Sequence, residues 1–291
     1  MNYDFRDKVI AVTGGAGGIG SAMCRRFAFG GARCVVVDID EIRAVRVAGE
    51  LPGSGHVGIG CDLMDWGQVE RLFQQVDAAF GRLDVLVNNV GMTSTERFDV
   101  RDIPSIEREV GLNLVSPLVT TRLAIPLLRG SRDPRVISTV SLAGIFPQAE
   151  TSVYCASKFG LRGAMLSIGL DLREKGILAG SVLPSATDTP MLRLEAVEGG
   201  NSMQFQEPPQ QPSDVVSAVV SMLDKPRLEA YARPRESLSA RLAMLVPNLL
   251  PKILPLFRKR GDRGMARYLE DLERRGLARR TDGRWELVAE R

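Results

Sequence analysis

Within TSVYCASKFG, residues 151–160, a tyrosine and a lysine stand four positions apart. On a helix Tyr154 and Lys158 share a face, so an ammonium can approach a phenol. A free phenol titrates near 10 and is rarely anionic at neutral pH. A unit positive charge about 4 Å away, at an effective dielectric near 20, is worth roughly 4 kcal/mol, or about three pKa units. Such a pair is a tuned acid/base for chemistry at a hydroxyl or carbonyl. In isolation a Y-x-x-x-K pair is usually a surface pair, so its meaning depends on what surrounds it.

A second chemical feature lies near the start. The apolar run KVIAV, residues 8–12, leads directly into TGGAGGIGSAMCRRFAFGG, where Ile19, Ala22, Met23 and Phe27 have helical spacing from about Gly18. Glycines let a backbone approach a ligand closely, and the free N–H groups of a helix start attract a pyrophosphate. Gly15, Gly17 and Gly20 fit G-x-G-x-x-G, while Thr13, Gly14, Gly18 and Gly20 fit the wider T-G-x-x-x-G-x-G. Asp38 closes the next apolar run, CVVVD, 18 residues past Gly20. A carboxylate there would accept hydrogen bonds from ribose hydroxyls and repel a 2′-phosphate. No Lys or Arg lies within 13–20 to neutralise that phosphate, so NAD is preferred over NADP.

The elements that must position these groups alternate. Short β-branched runs at 8–12, 32–38, 57–60, 83–88, 135–140 and 177–183 are separated by helical patterns, with a short seventh run at 228–232. This predicts an α/β fold, a doubly wound parallel sheet of about seven strands with helices on both faces. The strands read as continuous apolar runs because both faces are buried. A helix is expected at 213–224, with Ser213 as its cap, and residues 187–212 read as a long irregular loop.

With these motifs in order, the sequence resembles the classical short-chain dehydrogenases/reductases over residues 6 to about 232. The resemblance is carried by Thr13-Gly14-x-x-x-Gly18-x-Gly20, Asp62, Asn88-Asn89-Val90-Gly91, Asn113, Ser141 and Tyr154-x-x-x-Lys158, with Ser141 preceding Tyr154 by 13 residues. It implies a Rossmann-type oxidoreductase that interconverts an alcohol and a carbonyl. Tyr154 would exchange the substrate proton, Ser141 would bond the substrate oxygen, and Lys158 would lower the Tyr154 pKa and hold the nicotinamide ribose. Asn113 would keep a water for proton exchange. Cofactor contacts implied by the resemblance are Thr13, Gly14, Gly18, Ile19 and Gly20 at the phosphates, Asp38 at the ribose, and Asp62 with Leu63 at the adenine. Asn89 and Gly91 would line the adenosine side, with Pro184, Thr187 and Thr189 near the nicotinamide. Two departures stand out: Ser185 where the family places glycine, which would restrict φ, and Val90 where it places alanine. The competing classes are a non-catalytic NAD-binding sensor or scaffold and a membrane-docking protein. The complete set of Asn113, Ser141, Tyr154 and Lys158 argues for the enzyme.

The bulk numbers set limits. The 291 residues, 44% hydrophobic and 25% charged, suit one large or two modest domains; we expect a catalytic unit over 1–232 and a basic, apolar, helical extension over 233–291. Residues 225–291 hold 17 Lys plus Arg against 9 Asp plus Glu, so the net charge of +3 divides into +8 there and −5 elsewhere. That balance gives no case for nucleic acid. Pro247, Pro251 and Pro255 argue against one straight helix over 242–257, and a helix is expected at 264–276. The extension reads as a substrate lid, a membrane-surface segment or a subunit contact. Apolar residues there and in 187–212 imply a hydrophobic alcohol or ketone substrate, such as a sterol, retinoid or lipid-like alcohol. Four cysteines without a C-x-x-C pair, and an opening without a signal-like run, predict a reduced, cytoplasmic protein. No apolar run approaches the ~18 residues of a spanning helix. His56 is the only histidine, and no metal site can be assembled around it. The family resemblance implies a homodimer or homotetramer.

Overall fold

In the computed structural model, which describes residues 3–288, seven strands form one parallel sheet. They are β1 (Val9–Thr13), β2 (Arg33–Asp38), β3 (Val57–Gly60), β4 (Val85–Asn88), β5 (Arg135–Thr139), β6 (Leu178–Leu183) and β7 (Glu229–Tyr231), in the order β3-β2-β1-β4-β5-β6-β7. Alternate residues of β1 show why the runs are apolar throughout. Val9 and Ala11 enter a core with α3 (Trp66–Phe80), α5 (Ser116–Leu128) and α6 (Ser152–Arg173), while Ile10 and Val12 enter another with α1 (Gly18–Phe29) and α8 (Pro212–Asp224). The order reverses between β1 and β4, which opens a crevice at the carboxyl ends of the strands. Helix α2 (Glu41–Gly49) covers β2 and β3.

Some local expectations shift for identifiable reasons. Helix α8 is capped at Gln211, whose N–H donates to the Asp214 carboxylate at 3.0 Å. Pro212 occupies the first turn, where its missing N–H costs nothing, and this moves the cap upstream of Ser213. Helix α4 (Ile103–Val110) continues through a π-turn, Gly111–Val115, into α5. This 26-residue rod is long and apolar enough to cross a membrane, where the sequence showed no such run; Ala124, Leu127 and Leu128 bury in the core while Ile103 and Val115 stay exposed. Residues 187–212 are more ordered than a loop: they hold α7 (Pro190–Val197) and a 3₁₀ turn, Ser202–Phe205.

The extension forms α9 (Pro234–Ala243), α10 (Leu250–Arg274) and a hairpin of β8 (Ala278–Thr281) and β9 (Arg284–Leu287). The prolines break it once, with an 89° bend between the helical pieces. Pro247 lies in a 3₁₀ turn and Pro251 in the first turn of α10, while Pro255 is absorbed inside that helix at the loss of one hydrogen bond. Sequence reading missed the hairpin, although Asp282-Gly283 is its signal: both residues have positive φ, as a type I′ turn requires.

The extension docks on the α7 segment. Tyr268, Leu269 and Leu272 bury against Leu192, Ala196 and Phe205. A Cβ on Gly264 would lie 1.9 Å from the Phe205 carbonyl oxygen, so only glycine permits this approach. Buried Asp188 receives Tyr268 Oη at 2.8 Å, Arg193 Nε at 2.9 Å and Arg275 at 2.7 Å. Asp188→Ala leaves these partners without their anion and should cost about 3 kcal/mol. Limited trypsinolysis checks this: cleavage within 258–280 should accelerate at least about tenfold while the sheet unit resists, and unchanged cleavage would show that Asp188 does not hold the extension.

Candidate active site

The glycine loop is built from close contacts. Gly14 adopts φ +62°, and a Cβ on Gly20 would lie 2.1 Å from the Gly14 oxygen. The chain therefore turns tightly from β1 into α1, leaving that helix start without a side-chain cap. Thr13 Oγ1 accepts the Asn89 N–H at 3.0 Å and the Val90 N–H at 3.2 Å. The Asn89 amide reaches the Thr13 and Gly14 oxygens and accepts Thr139 Oγ1 at 3.3 Å. Asn89 thus fastens the ends of β1, β4 and β5 together.

Helix α6 presents Tyr154 and Lys158 to the same crevice. Lys158 is 3% exposed, and its Nζ donates to the Thr139 carbonyl at 3.2 Å and sits 5.6 Å from the Tyr154 ring centre. Burial lowers its pKa to about 8. Tyr154 is only half-buried by surface because its ring faces the open cavity, but its hydroxyl is deeply enclosed. Burial pushes this phenol above its ordinary value, while a hydrogen bond with Ser141 pulls it down and Glu195 pushes it further up. Burial therefore outweighs the lowering expected from Lys158, and the phenol is held protonated.

Asn113 lies in the π-turn at 0% exposure, bonded across the fold rather than to its own helix. Its amide donates to the Met92 carbonyl at 2.8 Å and to Ser157 Oγ at 3.2 Å, and its oxygen accepts the Met92 N–H at 2.9 Å. One lone pair remains for a water. Gly91 lies against the same ammonium: a Cβ there would make ordinary contact with Lys158 Nζ at 3.4 Å and Asn113 Oδ1 at 3.5 Å.

A cavity of about 450 Å³ unites much of the expected set: Ile19, Asn89, Gly91, Ser141, Tyr154, Lys158, Pro184, Thr187 and Thr189 all line it. Thr13, Gly14, Gly18, Gly20 and Asn113 stand behind that lining. Asp38 and Asp62 lie at the ends of β2 and β3, away from it, and the Leu63 side chain is buried in the core. Ser185 is outside the left-handed region, so serine imposes no backbone strain there. Thr189 caps α7 through the Leu192 N–H at 3.4 Å, and Thr187 accepts from Gln210 at 3.0 Å.

These residues fit a nicotinamide dinucleotide. The tight glycine turn offers uncapped N–H groups at α1, and the buried Ser185 Oγ on the cavity wall has no partner. Asp38 accepts the Ala16 N–H at 3.1 Å. Sequence reading missed Arg43, whose guanidinium reaches the Ala16 carbonyl at 3.1 Å from α2. The cavity's outer wall comes from the two segments in which the sequence offered a substrate lid and apolar lining, through Ile253, Leu254 and Phe257 of α10, Ala240 of α9 and Leu192 of α7; Glu195 of α7 was not foreseen there.

The Lys158 shift has a thermodynamic consequence. Between pH 8 and the ordinary lysine value the unfolded chain binds more protons, so this group's contribution to stability rises with pH. Urea unfolding of wild type and Lys158→Met at pH 7.5 and 9.5 should show the difference moving by about 2 kcal/mol in favour of wild type. A constant difference would mean that the ammonium is not held in a dry site.

The comparisons with known proteins agree with this geometry. The family model described as short chain dehydrogenase matches residues 8–197. L-fucose dehydrogenase of Bos taurus is 33% identical over 192 residues, 66% of this chain and 70% of the relative. The NAD(+) 15-hydroxyprostaglandin dehydrogenase of Mus musculus is 32% identical over 205 residues, 67% of this chain and 72% of the relative. A 3-ketoacyl-(acyl-carrier-protein) reductase from Brucella melitensis, complexed with NADH, superposes with a TM-score of 0.70 at 25% identity, covering 78% of this chain and 98% of that one. The chain belongs to the short-chain dehydrogenase family, as an alcohol dehydrogenase/reductase acting on CH–OH groups.

Proposed function

We propose that this protein is an NAD-preferring oxidoreductase that interconverts a secondary alcohol and a ketone on a hydrophobic molecule. The observation that carries this reading is a single cavity in which Tyr154, Ser141 and Lys158 face apolar residues of α7 and α10. Bound dinucleotide supplies the hydride acceptor or donor and, when oxidised, a positive charge beside the phenol. Tyr154 takes the hydroxyl proton in oxidation and returns it in reduction. Ser141 bonds the substrate oxygen and orients it towards Tyr154. Lys158 places a cation under the phenol, and Asn113 braces the segment after β4 while leaving a lone pair for water. Asp38 favours a free 2′-hydroxyl. We assign 1–232 to the catalytic unit and 233–291 to an extension whose helices α9 and α10 help wall the chamber.

The test is NADH or NADPH absorbance with a panel of hydrophobic secondary alcohols. Wild type should turn over faster with NAD than with NADP, and Tyr154→Phe should lower kcat by about 10³-fold. Turnover unaffected by that substitution would reject the mechanism.

A second reading concerns where the substrate comes from. We propose that the outer face of the extension meets an anionic membrane surface. Leu245 and Leu256 are 75% and 77% exposed, with Val246 and Leu249 also outward, beside Lys252, Arg258 and Lys259. The full chain should co-sediment with phosphatidylserine vesicles at low salt, and the double variant Leu245→Asp/Leu256→Asp should remain in the supernatant. Wild type staying in solution would remove this idea.

A further inference from the structure

Three carboxyl groups line the chamber, Glu195, Glu207 and Glu236; Glu207 is paired with Arg260 and Glu236 with Arg233, so Glu195 is the one that lacks a cation among the described residues. Glu195, on α7, is 8% exposed and lines the same cavity as Tyr154 and Ser141. Its charge is close enough to the phenol to help hold it protonated. Gln204 Nε2 donates to Glu195 Oε2 at 2.8 Å, and among the described residues no hydrogen bond reaches Oε1. The Gln204 turn is in turn pinned by α10, through the flush contact at Gly264. Burial raises the Glu195 pKa to about 7, and Glu109 and Glu198 push it the same way. No cation is paired with it among the described residues.

Glu195 stands between this chamber and a smaller polar pocket that holds Arg97 and Asn201, and its second oxygen is open to a donor from whatever enters the chamber. We propose that Glu195 is a substrate-recognition residue whose open oxygen accepts a hydrogen bond from a second donor on the substrate, a hydroxyl or an amine remote from the reacting carbon. This rests on the catalytic reading above and narrows it: the preferred substrates are hydrophobic diols or amino alcohols, and hydroxy acids are excluded. A substrate carboxylate would meet a like charge in a dry wall. A plain alcohol would leave Glu195 as it stands, without its missing donor. Sites built to hydrogen-bond a substrate group discriminate strongly against analogues that lack it.

Two measurements test this. The first compares kcat/KM at pH 8.5 for secondary alcohols of five to nine carbons bearing the reacting hydroxyl next to one end, with methyl, hydroxymethyl or carboxylate at the other. In wild type the diol should exceed the mono-alcohol about tenfold at the bridging length, and the hydroxy acid should fall at least about tenfold below it. Glu195→Leu should abolish the diol advantage, and the isosteric Glu195→Gln should raise the hydroxy acid about tenfold relative to the mono-alcohol. The second measurement needs neither cofactor nor turnover: thermal shifts with octylamine, octanol and octanoate. Wild type should be stabilised most by the amine and least by the carboxylate, and Glu195→Gln should level them. Turnover with ratios that Glu195→Leu and Glu195→Gln leave unchanged overturns this proposal while sparing the catalytic one. Absence of any turnover, with the thermal order intact, overturns the catalytic reading and supports the recognition role. A flat thermal order in wild type counts against Glu195 as a recognition group.

Discussion

A continuous chain of hydrogen bonds across the carboxyl ends of β1, β4 and β5 is the constraint on which the rest depends. It runs from the Gly14 and Thr13 carbonyls to the Asn89 amide, from Asn89 to the Thr139 hydroxyl, and from the Thr139 carbonyl to the Lys158 ammonium. Three strands that would splay at the switch point are thereby held at fixed spacing. The glycine turn and the Tyr154 helix belong to segments more than a hundred residues apart, yet one polar chain fixes their separation. Because its members are mostly buried, each depends on its neighbour for satisfaction, which makes the arrangement stiff. Both chemical halves of the site are therefore set by the sheet itself.

The outer half of the site has a different origin. Its wall comes from α7, the 202–205 turn and the extension, which share a small core of their own around Phe205, Tyr268 and Leu272. Asp188 joins the root of α7 to α10 through Tyr268 and Arg275. The glycine turn, Tyr154 and Lys158 thus hang on the large sheet, and the outer wall of the cavity is a satellite packed upon it. Residues beyond the matched family segment, which ends at 197, supply much of that satellite.

What could be read in the sequence follows this division. The strands were legible because a parallel sheet buries both faces, so runs such as CVVVD are apolar at nearly every position. Gly14, Gly20, Tyr154 and Lys158 could be picked out because residue type and spacing go together there, whereas Asn89 and Ser141 were reached only through the family resemblance. Helix α7 was not legible, since eight residues led by a proline in a polar stretch carry little periodicity. The passage of α10 through Pro255 was hidden because packing against the Ser202–Phe205 turn outweighs one lost hydrogen bond. The raised phenol was unreadable for a further reason: spacing shows that an ammonium is near but does not show how dry the crevice is. Arg43 and Glu195 act through space, so no motif announces them.

The Asp38 and Arg43 pair carries a consequence of another kind. The carboxylate and the guanidinium both address the Ala16 peptide, one through its N–H and the other through the oxygen of the same residue. The turn between β1 and α1 is thus tied to both β2 and α2 through one small residue. Ala16 is gripped at both polar edges by side chains from outside the turn, so the loop cannot shift without breaking a contact to one of those two elements.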